Sequence, residues 1–247
     1  MHKRGRDEGN DLRLDVWLFE NGFSNSRNKS SEMIKSGEVR VDGKIIKKPS
    51  FDVFGDENIE TLEKKHYVSR AGYKLKGFLQ ELELDIEAKE CLDVGSSTGG
   101  FVEVLLEYGA KRVTCVDVGS MQLHLSLRDN PKVEIFENCD IREFEHKDRF
   151  DVLTCDVSFI SISQLLYKLD KLAKKDIIIL FKPQFEVGVG VKRDKKGVVK
   201  DRFAISKAKD NFEASCFGLG WKLVSKRESV LRGKEGNEEF FYYYTKK

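Results

Sequence analysis

The chain has 247 residues, of which 40% are apolar and 11% aromatic, enough to bury the core of one large domain plus a small one; a disordered chain is excluded. The 44 basic and 42 acidic side chains leave a formal charge of +2, so affinity for nucleic acid must come from local clustering. Met1-His2-Lys3-Arg4-Gly5 lacks a secretory apolar stretch, and no later run approaches the ~18 apolar residues of a membrane span, which reads as a soluble, cytoplasmic protein.

Residues 11–58 read as a small α+β domain. Leu14, Trp17, Leu18 and Phe19 give one helical apolar face, stopped by Asn21-Gly22. A second helix runs from about Ser26 to Ser36, with Gly37 placed to cap it. Asp42-Gly43 then signals a hairpin between Val39-Arg40-Val41 and Lys44-Ile45-Ile46. From residue 22 to 50, seven basic side chains (Arg27, Lys29, Lys35, Arg40, Lys44, Lys47, Lys48) stand against three acidic ones. Such a density neutralises phosphates with salt-sensitive, mainly sequence-blind affinity.

This order resembles the alpha-L RNA-binding domain, often called the S-four domain. The resemblance is carried by Arg13-Leu14-Asp15, Gly22-Phe23, Ser26-Arg27, Ile34, Gly37, Val39-Arg40-Val41-Asp42-Gly43 and Lys48-Pro49-Ser50. It implies RNA binding, with Arg13, Arg27, Lys29, Lys35, Arg40, Lys44 and Lys48 as candidate contacts. Residues 59–65, Ile59-Glu60-Thr61-Leu62-Glu63-Lys64-Lys65, read as the linker to a second domain over 66–247.

From about Glu90, strand-like runs at Cys91–Val94, Arg112–Val118, Val133–Asn138, Phe150–Cys155 and Ile177–Phe181 alternate with helical stretches. The alternation predicts an α/β fold, Rossmann-like, with a mostly parallel sheet covered on both faces. Trp221–Val230 and Glu239–Tyr244 are close enough to pair antiparallel, giving an antiparallel last strand. The five cysteines contain no CxxC pair, and Cys91, Cys115, Cys139 and Cys155 fall in apolar runs that read as strands; structural thiols are expected, with neither disulfide nor metal.

The first strand-to-helix turn of such a sheet holds ligands, and here it is Asp93-Val94-Gly95-Ser96-Ser97-Thr98-Gly99-Gly100, followed by Phe101. Its glycines would let backbone approach a ligand. Asp117, 22 residues after Gly95 and next to Val118, is placed to accept the hydroxyls of an adenosine ribose. The GxGxxG spacing of a pyrophosphate site is absent. A carboxylate beside the loop, Asp93, suits the sulfonium and ammonium groups of S-adenosylmethionine, and Asp140 is placed for the adenine amino group.

Four further segments carry chemistry: Ser69-Arg70-Ala71-Gly72-Tyr73-Lys74-Leu75, Cys155-Asp156-Val157-Ser158-Phe159, Phe181-Lys182-Pro183-Gln184-Phe185-Glu186, and Gly236-Asn237-Glu238-Glu239-Phe240. With them the chain resembles, from Leu12 to Tyr244, the TlyA ribosomal RNA 2′-O-methyltransferases, a family also labelled haemolysins, whose catalytic domain is of the FtsJ type. The resemblance implies a Lys-Asp-Lys-Glu tetrad at Lys74, Asp156, Lys182 and Glu239, with Glu238 as rival for the last place. It further implies S-adenosylmethionine as methyl donor and a cytidine ribose in ribosomal RNA, of the large subunit and for some members also the small, as acceptor.

A ribose hydroxyl is a poor nucleophile that must be aligned and must lose a proton. On the family pattern Lys182 is the general base, Lys74 and Asp156 orient it and the ribose, and Glu239 fixes Lys74 or the hydroxyl. Val187 to Gly197, glycine-punctuated and basic, reads as a loop able to close over RNA. Two other classes stay open: a noncatalytic ribosome-assembly factor, although every tetrad position is filled, and a haemolysin, against which the lack of membrane-active segments argues.

Overall fold

A computed structural model describes residues 12–24, 26–55, 57–61 and 67–246. The chain divides between His66 and Tyr67 into two compact units. The first contains β1 (Leu12–Arg13), α1 (Leu14–Glu20), α2 (Arg27–Lys35), β2 (Val39–Val41), β3 (Lys44–Ile45), β4 (Asp52–Val53) and β5 (Ile59–Thr61). Leu14, Leu18, Ile34, Val39, Val41 and Val53 form its core.

The local signals act as their chemistry requires. Asp42 and Gly43 both take positive φ (49° and 76°), the geometry of a two-residue hairpin turn, and Val41 pairs with Lys44 across it. Ser26 Oγ accepts the Lys29 amide at 3.2 Å and so caps α2. Ser26→Ala should cost about 1 kcal/mol, seen as hydrogen exchange about fivefold faster along α2; unchanged exchange would show that the cap does not hold the helix. One expectation is corrected. Ile59–Thr61, read as the start of a linker, pairs antiparallel with Val39–Val41, because that strand otherwise leaves one edge unsatisfied. Residues 62–65 of the expected linker lie outside the described residues.

The second unit runs through α3 (Arg70–Leu79), β6 (Glu90–Val94), α4 (Gly100–Glu107), β7 (Arg112–Val116), α5 (Leu125–Arg128), β8 (Val133–Phe136), β9 (Phe150–Cys155), α6 (Leu166–Leu172), β10 (Ala173–Phe181), α7 (Pro183–Glu186), α8 (Arg202–Gly218), β11 (Lys222–Glu228) and β12 (Phe240–Thr245). The sheet order is β11-β12-β10-β9-β6-β7-β8, parallel except for β12, which inserts antiparallel between β10 and β11.

Strand alternation explains the long apolar runs. In β10, Ile177, Ile179 and Phe181 pack toward Leu169 and Phe212, from α6 and α8, while Ile178 and Leu180 pack toward Leu75 and Leu105, from α3 and α4. Two strands are shorter than their apolar runs. β7 stops at Val116 because the Asp117 carboxylate turns back to accept the Gly119 amide at 2.7 Å, and β8 stops at Phe136, before Asn138 takes a φ of +54°. Cys139 therefore lies beyond its strand; Cys91, Cys115 and Cys155 are in strands, Cys216 is in α8, and all five are free thiols. The chain passes from β6 to β7 and β8 on one side and then crosses to β9 on the other, so the strand order reverses at β6 and a crevice opens at its carboxyl end.

Candidate active site

That crevice begins with the loop after β6. A Cβ on Gly95 (φ +80°) would lie 2.8 Å from the Asp156 carbonyl oxygen, one on Gly99 (φ +95°) 2.3 Å from Leu127, and one on Gly100 2.2 Å from Ser69 Oγ and 2.7 Å from the Gly72 amide. Each missing side chain is answered by protein atoms, so the glycines also seat the loop against the end of β9, α5 and α3. Ser96 Oγ donates to the Asp93 carbonyl, and the Ser97 amide donates to Asp117 Oδ2 at 2.8 Å. Ser97 and Thr98 remain exposed.

Asp93 is 1% exposed. Its Oδ1 accepts Thr154 Oγ1 at 2.6 Å, while Oδ2 is buried with no hydrogen-bond partner. Burial pushes its carboxyl up to about 7, against the pull of the Thr154 bond and with help from Asp156 and Asp117. Asp117, Val118 and Asp140 border a cavity of about 1060 Å³. Asp140 is not free: Arg142 forks onto it with Nε at 3.0 Å and Nη2 at 2.5 Å, and this holds the Asp140 carboxyl below its ordinary range. Phe101 borders a second cavity, but its ring is 2% exposed and stacks on Phe241 in the core.

The second cavity, about 320 Å³, is bordered by Asp93, Asp156, Ser158 and Lys182; Gly95, Ser97, Asp156 and Ser158 border both cavities. Lys182 Nζ lies 2.6 Å from Asp156 Oδ1 and donates to Ser158 Oγ at 2.8 Å. Lys74 Nζ lies 2.6 Å from Glu239 Oε2, with both side chains buried. β10 and β12 align Phe181 with Phe240, so Lys182 and Glu239 follow at neighbouring positions on the same sheet edge. The four residues thus form two ion pairs. Glu238 pairs with Arg202 and Arg232 instead.

Sequence reasoning missed Thr154 and Ser158, which bond to Asp93 and Lys182, and Glu137. The latter accepts the amides of Met121, Gln122 and Leu123 and pairs with Arg128; the Arg128 bond foremost holds its carboxyl near 2. It thereby shapes the turn that puts Gln122 on the larger cavity. The loop read as closing over RNA is tied down by Arg193, which donates to the carbonyls of Val191, Gln184 and Gly188.

In the first unit, Arg13 and Arg27 both bond the buried Asp15. Lys35, Lys44 and Lys48 are exposed, Lys29 is 3.9 Å from Glu32, and Arg40 is half-buried with Nε unpartnered. Among the described residues no helix is long and apolar enough to cross a membrane, and no group of three or more His, Cys, Asp or Glu could hold a metal ion.

The sheet order, with its crevice at the carboxyl end of β6, is that of a methyltransferase domain, and comparison with known proteins agrees. Residues 67–246 match the FtsJ-like methyltransferase family and residues 12–59 the S4 domain. The chain is 51% identical to the 23S rRNA (cytidine-2′-O)-methyltransferase TlyA of Campylobacter jejuni, over 95% of this chain and 100% of that one. It is 37% identical to the 16S/23S rRNA (cytidine-2′-O)-methyltransferase TlyA of Mycobacterium tuberculosis, over 94% and 88%. A solved chain from Streptococcus thermophilus, carrying a provisional hemolysin label, superposes with a TM-score of 0.68 at 30% identity, over 96% and 88%. The chain belongs to the TlyA family of FtsJ-like methyltransferases.

Proposed function

We propose that this protein methylates the 2′-hydroxyl of a cytidine ribose in ribosomal RNA, of the large subunit or of both subunits, with S-adenosylmethionine as donor. The observation that carries the reading is the Lys182 ammonium held by Asp156 and Ser158 on a cavity that shares its border with the cofactor loop. S-adenosylmethionine supplies an electrophilic methyl group on a sulfonium. The residues present suit it: the unpartnered Asp93 Oδ2 answers its positive charge, and Asp117 stands where a ribose would be held.

Lys182, having given its own proton to solvent, would accept the hydroxyl proton as the ribose oxygen takes the methyl group that S-adenosylmethionine would supply. Asp156 and Ser158 fix the direction of Nζ, and Asp156 stabilises the resulting ammonium. Glu239 holds the Lys74 side chain in place inside the fold. The basic face of the first unit supplies sequence-blind affinity for RNA. Mapping 2′-O-methyl groups in ribosomes from cells lacking this protein should show the loss of one or two sites in otherwise unchanged ribosomal RNA; an unchanged map would refute the assignment.

Asp93 gives a pH test. Burial favours its protonated form in the fold, so its stabilising contribution is complete below about pH 3.8 and is lost as the pH rises through about 7. A cationic ligand favours the ionised form. Affinity for S-adenosylmethionine should therefore rise between about pH 6 and 8 while the free protein's melting temperature falls, and Asp93→Asn should flatten both trends. Calorimetric titrations and thermal melts across that range check this; an affinity independent of pH would count against the role of Asp93.

A further inference from the structure

Resting on the proposed transfer to RNA, we infer that the second unit carries its own phosphate-docking site, a guanidinium cluster of Arg202 and Arg232 around Glu238, braced by Arg70, that takes a backbone phosphodiester of the acceptor strand. Glu238 receives Arg202 Nη1 at 3.2 Å on Oε2 and Arg232 Nη2 at 3.4 Å on Oε1. Arg70 Nη2 donates to the Arg232 carbonyl at 2.8 Å. Two guanidiniums thus share one carboxylate, and a third, that of Arg70, holds the backbone of one of them.

The surplus charge does not serve the fold. The carboxylate is largely covered, at 16% exposure, but the Arg202 and Arg232 side chains are 81% and 61% exposed, and ion pairs so open to water add little stability. Each of those two guanidiniums directs one nitrogen to Glu238 and makes no other hydrogen bond among the described residues. A guanidinium has five N–H donors in a planar fork that matches phosphate oxygens.

The position is as informative as the charge. Arg70 borders the same cavity as Lys182, and Glu238 immediately precedes the buried Glu239. The segment between is firmly held: the Gly233 amide donates to the Asn237 carbonyl, the Ser229 amide to the Glu239 carbonyl, and the buried Asn237 Oδ1 accepts the Val199 amide at 3.0 Å. The backbone that carries Arg232 and Glu238 is therefore ordered before RNA arrives, which lowers the entropy cost of binding. Every ribose in RNA is flanked by phosphates, so a strand that presents a 2′-hydroxyl to Lys182 brings a phosphodiester to this lip. Capture there sets the register of the acceptor, which the sequence-blind face of the first unit does not do.

The test is binding of ribosomal RNA to the full-length protein from 50 to 200 mM salt, with methyl transfer measured in parallel. The double variant Arg202→Ala/Arg232→Ala should bind about tenfold more weakly, and the slope of log affinity on log salt should fall by about 0.7 to 0.9 for each phosphate no longer neutralised. Affinity for S-adenosylmethionine should be unchanged. Arg232→Lys should retain part of the binding, which separates loss of charge from a folding defect. Unaltered RNA affinity and salt slope in the double variant would overturn the inference, whether or not methyl is transferred. Weakened binding by the variants of a protein that transfers no methyl group would leave the docking site standing and overturn the proposed reaction instead.

Discussion

Lys182→Ala is expected to lower kcat for methyl transfer by about 10²- to 10⁴-fold, the range for removal of a general base, with affinity for S-adenosylmethionine retained. Lys182 directly follows the buried run 177–181, and its Nζ has two partners that fix its direction, Asp156 Oδ1 and Ser158 Oγ. Asp156→Asn should lower kcat as well, because it removes the charge that stabilises the ammonium formed in the reaction. Single-turnover transfer to ribosomal RNA, with cofactor binding followed by calorimetry, checks both. Near-normal turnover in Lys182→Ala would reject Lys182 as the base.

Glu239→Ala is expected to be the most destabilising single change at the site. It would leave the Lys74 ammonium buried without its carboxylate, and breaking a buried pair in this way costs about 3–5 kcal/mol. Lys74→Met should cost less, since no uncompensated cation remains, and the double variant should recover part of the loss of Glu239→Ala. Urea unfolding of the four proteins measures the coupling. A loss below about 1 kcal/mol for Glu239→Ala would mean that water reaches the pair, as for exposed ion pairs.

Much of this was legible in the sequence because local chemistry and tertiary demand agree. Asp42-Gly43 admits few structures besides a tight hairpin, and Ile177 to Phe181 can be buried on both faces only inside a covered sheet. The segment from Gly236 to Phe240 pointed to Glu239 over Glu238; Lys74 pairs with Glu239, and Glu238 pairs with Arg202 and Arg232. What was hidden depends on partners distant in sequence. Nothing local to Lys74 announces that Glu239, 165 residues on, is its partner, or that Asp156 belongs to Lys182; only the family resemblance implied those pairings. That the loop glycines also seat the loop was not legible, because the atoms they pack on belong to Asp156, Leu127 and Ser69, from elsewhere in the chain. Arg142 on Asp140 is a side-chain choice that strand-end position does not specify. Ile59–Thr61 is short and flanked by charge, so only the open edge of Val39–Val41 makes it a strand.

The central claim is that the methyl group goes to a ribose oxygen of RNA, and it is tested most directly by incubating purified protein, ribosomal RNA and methyl-tritiated S-adenosylmethionine, then hydrolysing the RNA in alkali. Alkaline cleavage needs a free 2′-hydroxyl beside the phosphate, so label on that oxygen must survive in an uncleaved dinucleotide with cytidine as its 5′ member. Tritium in such dinucleotides, lost with Lys182→Ala, is the predicted result. Tritium released in mononucleotides would place the methyl group on a base and contradict the claim.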